Sequence, residues 1–302
     1  MCWRTISRAV SLAPVVASVL LTVSTVAAVA ADGDAVMRVE SQVFKGSDEQ
    51  AISRSLALFT DDVVWDLLEL PDAEGEMQLA EIVLHDPLRE RTVLVDPRRG
   101  VKVEVDKLKL DRLRVSLATW ARGAEDPIIR WAASSQVKEG IHHDDDDEST
   151  LVLTGPPGVT GPKVRYRVQY EKASSREAAE RYQQFADVSL LLKALVHPGG
   201  LPPFPRMAIN SRLVDERAIP SGVQLALSGE LPLPVPLAGD QVLRSEHHTH
   251  PQLLAEDRRR ISEASVRVAE AASVSLEVYA NPEGDASTDV ATSRSAERSV
   301  TR

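Results

Sequence analysis

The stretch Glu81-Ile82-Val83-Leu84-His85-Asp86-Pro87, followed by Arg91-Thr92-Val93-Leu94-Val95-Asp96-Pro97, decides how this chain is read. Each is a short run rich in Val, Ile and Leu that stops at an Asp-Pro pair. Runs of this composition and length read as strands, and Asp-Pro is strong turn punctuation. The Arg98-Arg99-Gly100 turn hands over to Val101-Lys102-Val103-Glu104-Val105, another strand. Towards the N-terminus, Val63 to Leu68 follows an Asp61-Asp62 turn, Ser53 to Thr60 alternates with Leu56 and Leu58 on one face, and residues 36–43 alternate again. Period-two runs joined by tight turns predict an antiparallel meander of five or six strands over 36–105.

The period changes after the meander. Leu110, Leu113, Leu117 and Trp120 fall on one helical face that ends at Gly123, and Asp126-Pro127 caps a second helix carrying Ile128 and Trp131. Strands return at 150–154 and 163–171, the second placing Val164, Tyr166, Val168 and Tyr170 on one face. A longer helix is predicted from Ser175 to about Val196, with Ser174 and Glu177 at capping-box spacing. Beyond it the pattern predicts an extended 201–205 segment, strands at 207–216 and 222–227 about an Ile219–Gly222 turn, and an extended Leu231–Pro236 strip of alternate prolines. A helix opened by Pro251 and a final strand through Val274, Leu276 and Val278 complete the expectation. The fold class is α+β: a curved antiparallel sheet with short helices inserted mid-chain and further helices toward the C-terminus. Residues 32–280 read as one domain, with a weak boundary near 200 as the alternative, and 281–302 as a disordered tail poor in apolar residues.

The N-terminal segment reads as a secretory signal peptide over 1–31. Arg4 and Arg8 precede an apolar run from Ala9 to Val29, and Ala27, Ala28, Ala30 and Ala31 supply a small-residue cleavage site. The expected location is therefore periplasmic or secreted, with no membrane span once the leader is removed. Cys2, the single cysteine, lies in that leader, so the mature chain is expected to lack disulfides, thiolate zinc sites and cysteine nucleophiles. The formal charge of −10 becomes more negative when Arg4 and Arg8 leave, which argues against a nucleic-acid partner.

The chain offers no Gly-x-Ser-x-Gly elbow, His-Glu-x-x-His helix, phosphate loop or dinucleotide fingerprint. That lowers the expectation of an enzyme, and no cofactor is expected. Two histidine clusters remain: His142 and His143 beside four aspartates, and His247, His248 and His250. Imidazole with carboxylate suits a divalent metal, and His248 and His250 would share a strand face. The preferred reading of both clusters is a solvated polar surface. Asp61, Asp62, Asp66 and Glu69 form an acidic patch around Trp65, read as structural rather than as a glycosidase carboxylate pair, with Asp61-Asp62 as a strand-to-strand turn.

The order of strands, two short mid-chain helices and further strands resembles that of the periplasmic lipoprotein-carrier superfamily, the Lol-type half barrels. The paired strands at 81–87 and 91–97 carry the likeness most directly, and it covers about half the mature chain. Unlike those carriers, which usually begin with a helix, this chain goes almost at once into a strand. The resemblance implies an open antiparallel barrel with two inserted helices as a lid, and a non-catalytic exported protein that holds a lipid or a lipoprotein acyl chain. Under it, Leu113, Leu117, Trp120, Ile128 and Trp131 would line the cavity or its lid; in a filled core the two tryptophans would be packing residues. The alternatives are a metal-binding protein or metal-dependent hydrolase, with His248 and His250 as ligands, and an envelope interaction module docking through the Leu231–Pro236 strip.

Overall fold

The computed structural model describes residues 36–158, 161, 163–228 and 241–281. The expected leader, the Leu231–Pro236 strip and all but the first residue of the expected tail lie outside these residues. Six strands come first: β1 (Met37–Lys45), β2 (Ser53–Phe59), β3 (Val64–Pro71), β4 (Met77–Asp86), β5 (Arg91–Asp96) and β6 (Val101–Asp106). Each pairs antiparallel with the next. The Asp-Pro breaks act through the aspartate: Asp86 Oδ1 accepts from Arg89 N at 3.1 Å, and Asp96 Oδ1 accepts from Arg98 N and Arg99 N, both at 3.0 Å. These side-chain bonds offer the backbone a turn in place of a ladder.

Three helices then cross the inside of the fold: α1 (Lys107–Arg122), α2 (Pro127–Ala132) and α3 (Gln136–Glu139). Asp126 caps α2 by accepting from Ile128 N and Ile129 N, with Pro127 at the first helical position. The chain resumes at the far edge with β7 (His142–Asp144), β8 (Asp147–Gly155) and β9 (Lys163–Lys172). It continues through α4 (Arg176–Val196), α5 (Phe204–Asp215), β10 (Ala218–Ser228), β11 (Gln241–His250), α6 (Ala255–Glu270), β12 (Ala272–Ser273) and α7 (Leu276–Ala280).

The twelve strands of the described residues form one sheet in the order β12-β6-β5-β4-β3-β2-β1-β11-β10-β9-β8-β7. Two meanders meet at its centre, where β1 pairs antiparallel with β11 from Arg38 opposite His250 to Lys45 opposite Leu243. The sheet is curved and unclosed, a half-barrel with helices inside it, and the α+β class is as expected. Among the described residues its one parallel pair is the short β12–β6 edge.

Strand alternation sorts the side chains onto two faces. Leu56, Leu58, Trp65, Leu67, Ile82, Val93 and Val95 face outward and are covered by α6 through Ala264. Asp257 fixes the start of α6: its Oδ1 accepts from Arg38 Nε at 3.1 Å and its Oδ2 from Leu254 N at 2.8 Å. On the inner face, Met37, Val39, Ala57, Phe59 and Val64 pack under Ala178, Tyr182 and Phe185 of α4. Phe59 stacks on Tyr182 at 6.3 Å between ring centroids and meets Phe185 edge-on at 5.4 Å. A second inner cluster joins Trp131, Leu151, Leu153, Val164, Tyr166 and Ile209.

Five local expectations are corrected. Residues 204–215 are helix α5, not a strand: Met207, Ile209 and Leu213 fit a period of two, but the buried set Ile209, Asn210, Leu213 and Val214 follows the helical period, after a start carrying Pro205. The expected final strand at 274–278 is helix α7, capped by Ser275, whose side chain accepts from Val278 N. Ile219–Gly222 is not a turn but the interior of β10, where a bulge between Pro220 and Gly222 absorbs the missing proline donor. The helix expected at Pro251 begins at Ala255, and α4 is capped by Ser175 rather than Ser174.

Gly155 makes the tightest approach in the inner core. A Cβ there would lie 2.0 Å from Trp131 Cε2, with Trp131 itself 3 % exposed. Gly155→Ala is predicted to cost about 1–3 kcal/mol by overpacking. Urea unfolding checks it: a midpoint equal to the parent's would refute the packing described.

Candidate functional site

The inner face changes character along its length. Pairing places Met37 opposite Phe59, Val39 opposite Ala57, Ser41 opposite Ser55 and Val43 opposite Ser53. Large side chains reach α4 at one end of these rows, and serines take their place at the other. A cavity of about 1000 Å³ opens over the serines. That is the upper end of the range of roughly 300–1,000 Å³ found for small-molecule sites.

The floor carries Ser41, Ser53, Ser55, Leu68, Val83 and Leu94, and the roof is Leu190, Lys193 and Ala194 of α4 with the 197–203 segment. Tyr166 and Leu225 close one side, and Ile129, Leu117 and Trp120 reach it from α1 and α2. Trp120 is 54 % exposed, so it stands at the mouth. The lining is predominantly apolar.

The expected lid is therefore placed only in part. Leu117 and Trp120 line the cavity. Leu113 is half-buried on α1 and is not part of the wall. Ile128 and Trp131 are core residues packed among Leu151, Leu153 and Val164, and their neighbour Ile129 takes the cavity position. Most of the roof comes from α4 and the 197–203 segment, because α1 leans against β6 and α4 through Leu110 while α4 spans the sheet.

Ionisable groups cluster in two places on this wall. At one corner Asp66 of β3, Glu81 of β4 and Asp96 of β5 lie across adjacent strands. Burial pushes the Asp66 carboxyl up to about 6, with Lys193 pulling it down and Glu81 pushing it up. Asp66 Oδ1 has no hydrogen-bond partner. Burial also raises Glu81, against the hydrogen bond that Tyr279 Oη donates to its Oε2 at 2.9 Å and the charges of Lys193 and His197. The second place is the start of α5. Arg206 lines the cavity there, and burial holds its pKa below the ordinary value. Beside it His247 is pushed down to about 3 by burial and then by the Arg206 charge, so the ring is neutral. Its Nδ1 lies 2.7 Å from Ser41 Oγ and its Nε2 3.0 Å from Ser245 Oγ.

The histidine clusters do not meet. His248 and His250 are exposed and pair with Glu40 and Arg38 of β1, on the face opposite to His247. His142 and His143 sit on β7, with β10, β9 and β8 lying between β11 and β7. His142 Nδ1 contacts Gly140 O and His143 Nδ1 contacts Glu148 O, each at 3.0 Å. Among the described residues no group of three or more His, Cys, Asp or Glu is arranged to hold a metal ion.

The sequence reading missed Glu81 and Arg206 and gave the acidic patch that contains Asp66 a structural role. Two signals were present. Asp66 shares its strand face with Val64 and Leu68, and Glu81 shares its face with Val83, so each is an acid at an inward position. Arg206 was hidden because its helix was read as a strand. Comparison of the chain with protein-family models and with curated proteins returns no match.

The Asp66 environment predicts a pH dependence. Its folded pKa of about 6 lies above an unfolded value near 3.9, so the folded state binds more protons between them and stability falls as pH rises through that window. Asp66→Asn removes the buried charge. The variant is expected to exceed the parent by on the order of 2–3 kcal/mol at neutral pH, the advantage fading below pH ~4. Urea titrations across pH check it, and an offset that does not change with pH contradicts the assignment.

Proposed function

We propose that this protein is an exported, non-catalytic binder of an acyl chain, carrying the tail of a lipid or lipoprotein in the cavity of its half-barrel. The observation that carries the reading is the hollow itself. A chain of this size ordinarily packs its interior to crystal-like density. Here a large, mainly apolar space is left over Ser41, Ser53 and Ser55, at positions where leucine or phenylalanine would have filled it. Apolar cavities lose dispersion contacts along their walls unless something occupies them. An acyl chain is flexible, unbranched and apolar, which suits a space bounded by Leu68, Leu94, Leu117 and Leu190.

The half-open architecture supports the same reading. An unclosed sheet gives the space a mouth, and Trp120 stands at it. An amphipathic ring at a mouth keeps its apolar body against the tail and its N–H toward water.

The test fills the space from its floor. Ser53→Phe adds a ring where a small residue now lies, and Leu68→Trp enlarges an adjacent wall. Titration with a fluorescent fatty acid such as parinarate is expected to show saturable one-to-one binding to the parent and at least tenfold weaker binding to either variant. Parent protein that fails to bind, or variants that bind as well as the parent, would refute the proposal.

A further inference from the structure

We infer that the cavity selects an amphiphile with an acidic head, a carboxylate or a phosphate, and that Arg206 on α5 is the residue that holds it. The inference rests on the acyl-chain reading and adds the chemistry of the other end of the ligand.

The Arg206 guanidinium is a buried cation of the cavity wall to which the described residues supply no hydrogen-bond or ion-pair partner. Its Nη1 is shut off from solvent and has no hydrogen-bond partner. No hydrogen bond or ion pair to any described residue involves the group. Desolvation is the largest influence on it, yet Arg206 retains some accessible surface. Depth and accessible surface coexist because that surface belongs to the wall of an internal hollow.

The neighbours do not meet the need. His247 is neutral, and both its nitrogens are engaged by serine hydroxyls. Tyr166 and Tyr182 lie near, but burial raises both phenols, so they stay protonated. The acid whose charge acts on Arg206 is Asp187, whose Oδ1 accepts from Asn210 Nδ2 at 2.7 Å. Burial pushes Asp187 up to about 6, so it is mainly ionised at neutral pH and its charge acts on Arg206, but no ion pair within 4.0 Å joins the two.

A buried carboxylate has an exit, since it can take a proton, as Asp66 does near pH 6. A guanidinium has none: it stays charged in proteins and carries five donors in a fixed fork. A buried, uncompensated charge is among the most costly features a fold can hold. One that faces a cavity is compensated when a ligand brings the opposite charge. The fork matches the two oxygens of a carboxylate or phosphate, and such pairs are the strong charge-assisted kind.

The helix end adds an independent contribution. Arg206 lies in the first turn of α5, a helix of 12 residues whose N-terminus no side chain caps. Pro202 and Pro203, at that end, line the cavity with Arg206. A helix N-terminus carries partial positive charge and attracts anions. The guanidinium and the helix end therefore act on the same region of the cavity.

The experiment compares three probes with one tail: palmitate, hexadecyl phosphate and hexadecanol. Each is titrated against the parent, Arg206→Gln and Arg206→Lys, with Ser53→Phe as a variant of the tail site. The parent is expected to bind at least one anion ten times or more tightly than the alcohol, and the preferred anion identifies carboxylate or phosphate as the head. Arg206→Gln is expected to lose that preference while keeping its affinity for hexadecanol, and Arg206→Lys to keep part of it. Equal binding of all three probes by the parent, or a preference that survives Arg206→Gln, overturns the assignment of Arg206 while leaving tail binding in place. Absence of binding by all three removes the acyl-chain reading itself. Should Arg206→Gln not fold, Arg206→Lys carries the test, and a head-group preference unchanged from the parent's overturns the assignment of Arg206.

Discussion

The packing of α4 on the inner face of the sheet is the constraint on which the rest of the structure depends. At its N-terminal half, Ala178, Tyr182 and Phe185 rest on Met37, Phe59 and Val64, and Phe59 is fully buried between two aromatic rings. A fully buried aromatic side chain contributes about 1.5–3 kcal/mol, so this contact fixes where the helix stands above the sheet. Further along, Leu191, Leu192 and Val196 reach β4, β5 and β6 and the helices beside them. Over β1 and β2 the same helix passes above Ser41, Ser53 and Ser55, which are too short to meet it. The cavity is the volume between a helix held at a height set by phenylalanine and a floor made of serine.

That geometry also accounts for the electrostatics. Side chains at the hollow are enclosed by protein without being packed against it, so polar groups there lose water and gain few partners. Asp66 and Glu81 respond by holding protons to higher pH, and His247 responds by giving its proton up. Groups in such surroundings destabilise the empty fold, a pattern commoner at functional sites than elsewhere. The buried Arg38–Asp257 pair on the outer face shows the contrast, because there each charge has its partner within 3.1 Å.

Much of the fold was legible in the sequence, for a local reason. The strands of 36–105 are short, alternate cleanly and end at Asp-Pro or Gly turns, so each announces its own limits. The helices at 107–122 and 127–132 carry caps and stripes of the helical period. Residues 204–215 were misread because Met207, Ile209 and Leu213 satisfy both periods, and only burial against β9 and β10 decides between them. The β1–β11 pairing, which joins positions about 200 residues apart, leaves no local mark. The serine floor depends on the β1–β2 register, since a row of serines becomes a floor only once Ser41 is known to lie beside Ser55. Arg206 could be placed at the hollow only after its helix was known.

The central claim is that the space above the serine floor exists and is the seat of an apolar tail. Crystallography of the protein soaked with an ω-brominated fatty acid tests it most directly. The account predicts an anomalous bromine peak between α4 and the floor formed by Ser41, Ser53 and Ser55. An interior filled by the protein's own side chains, or a bromine bound only outside the half-barrel, would contradict it.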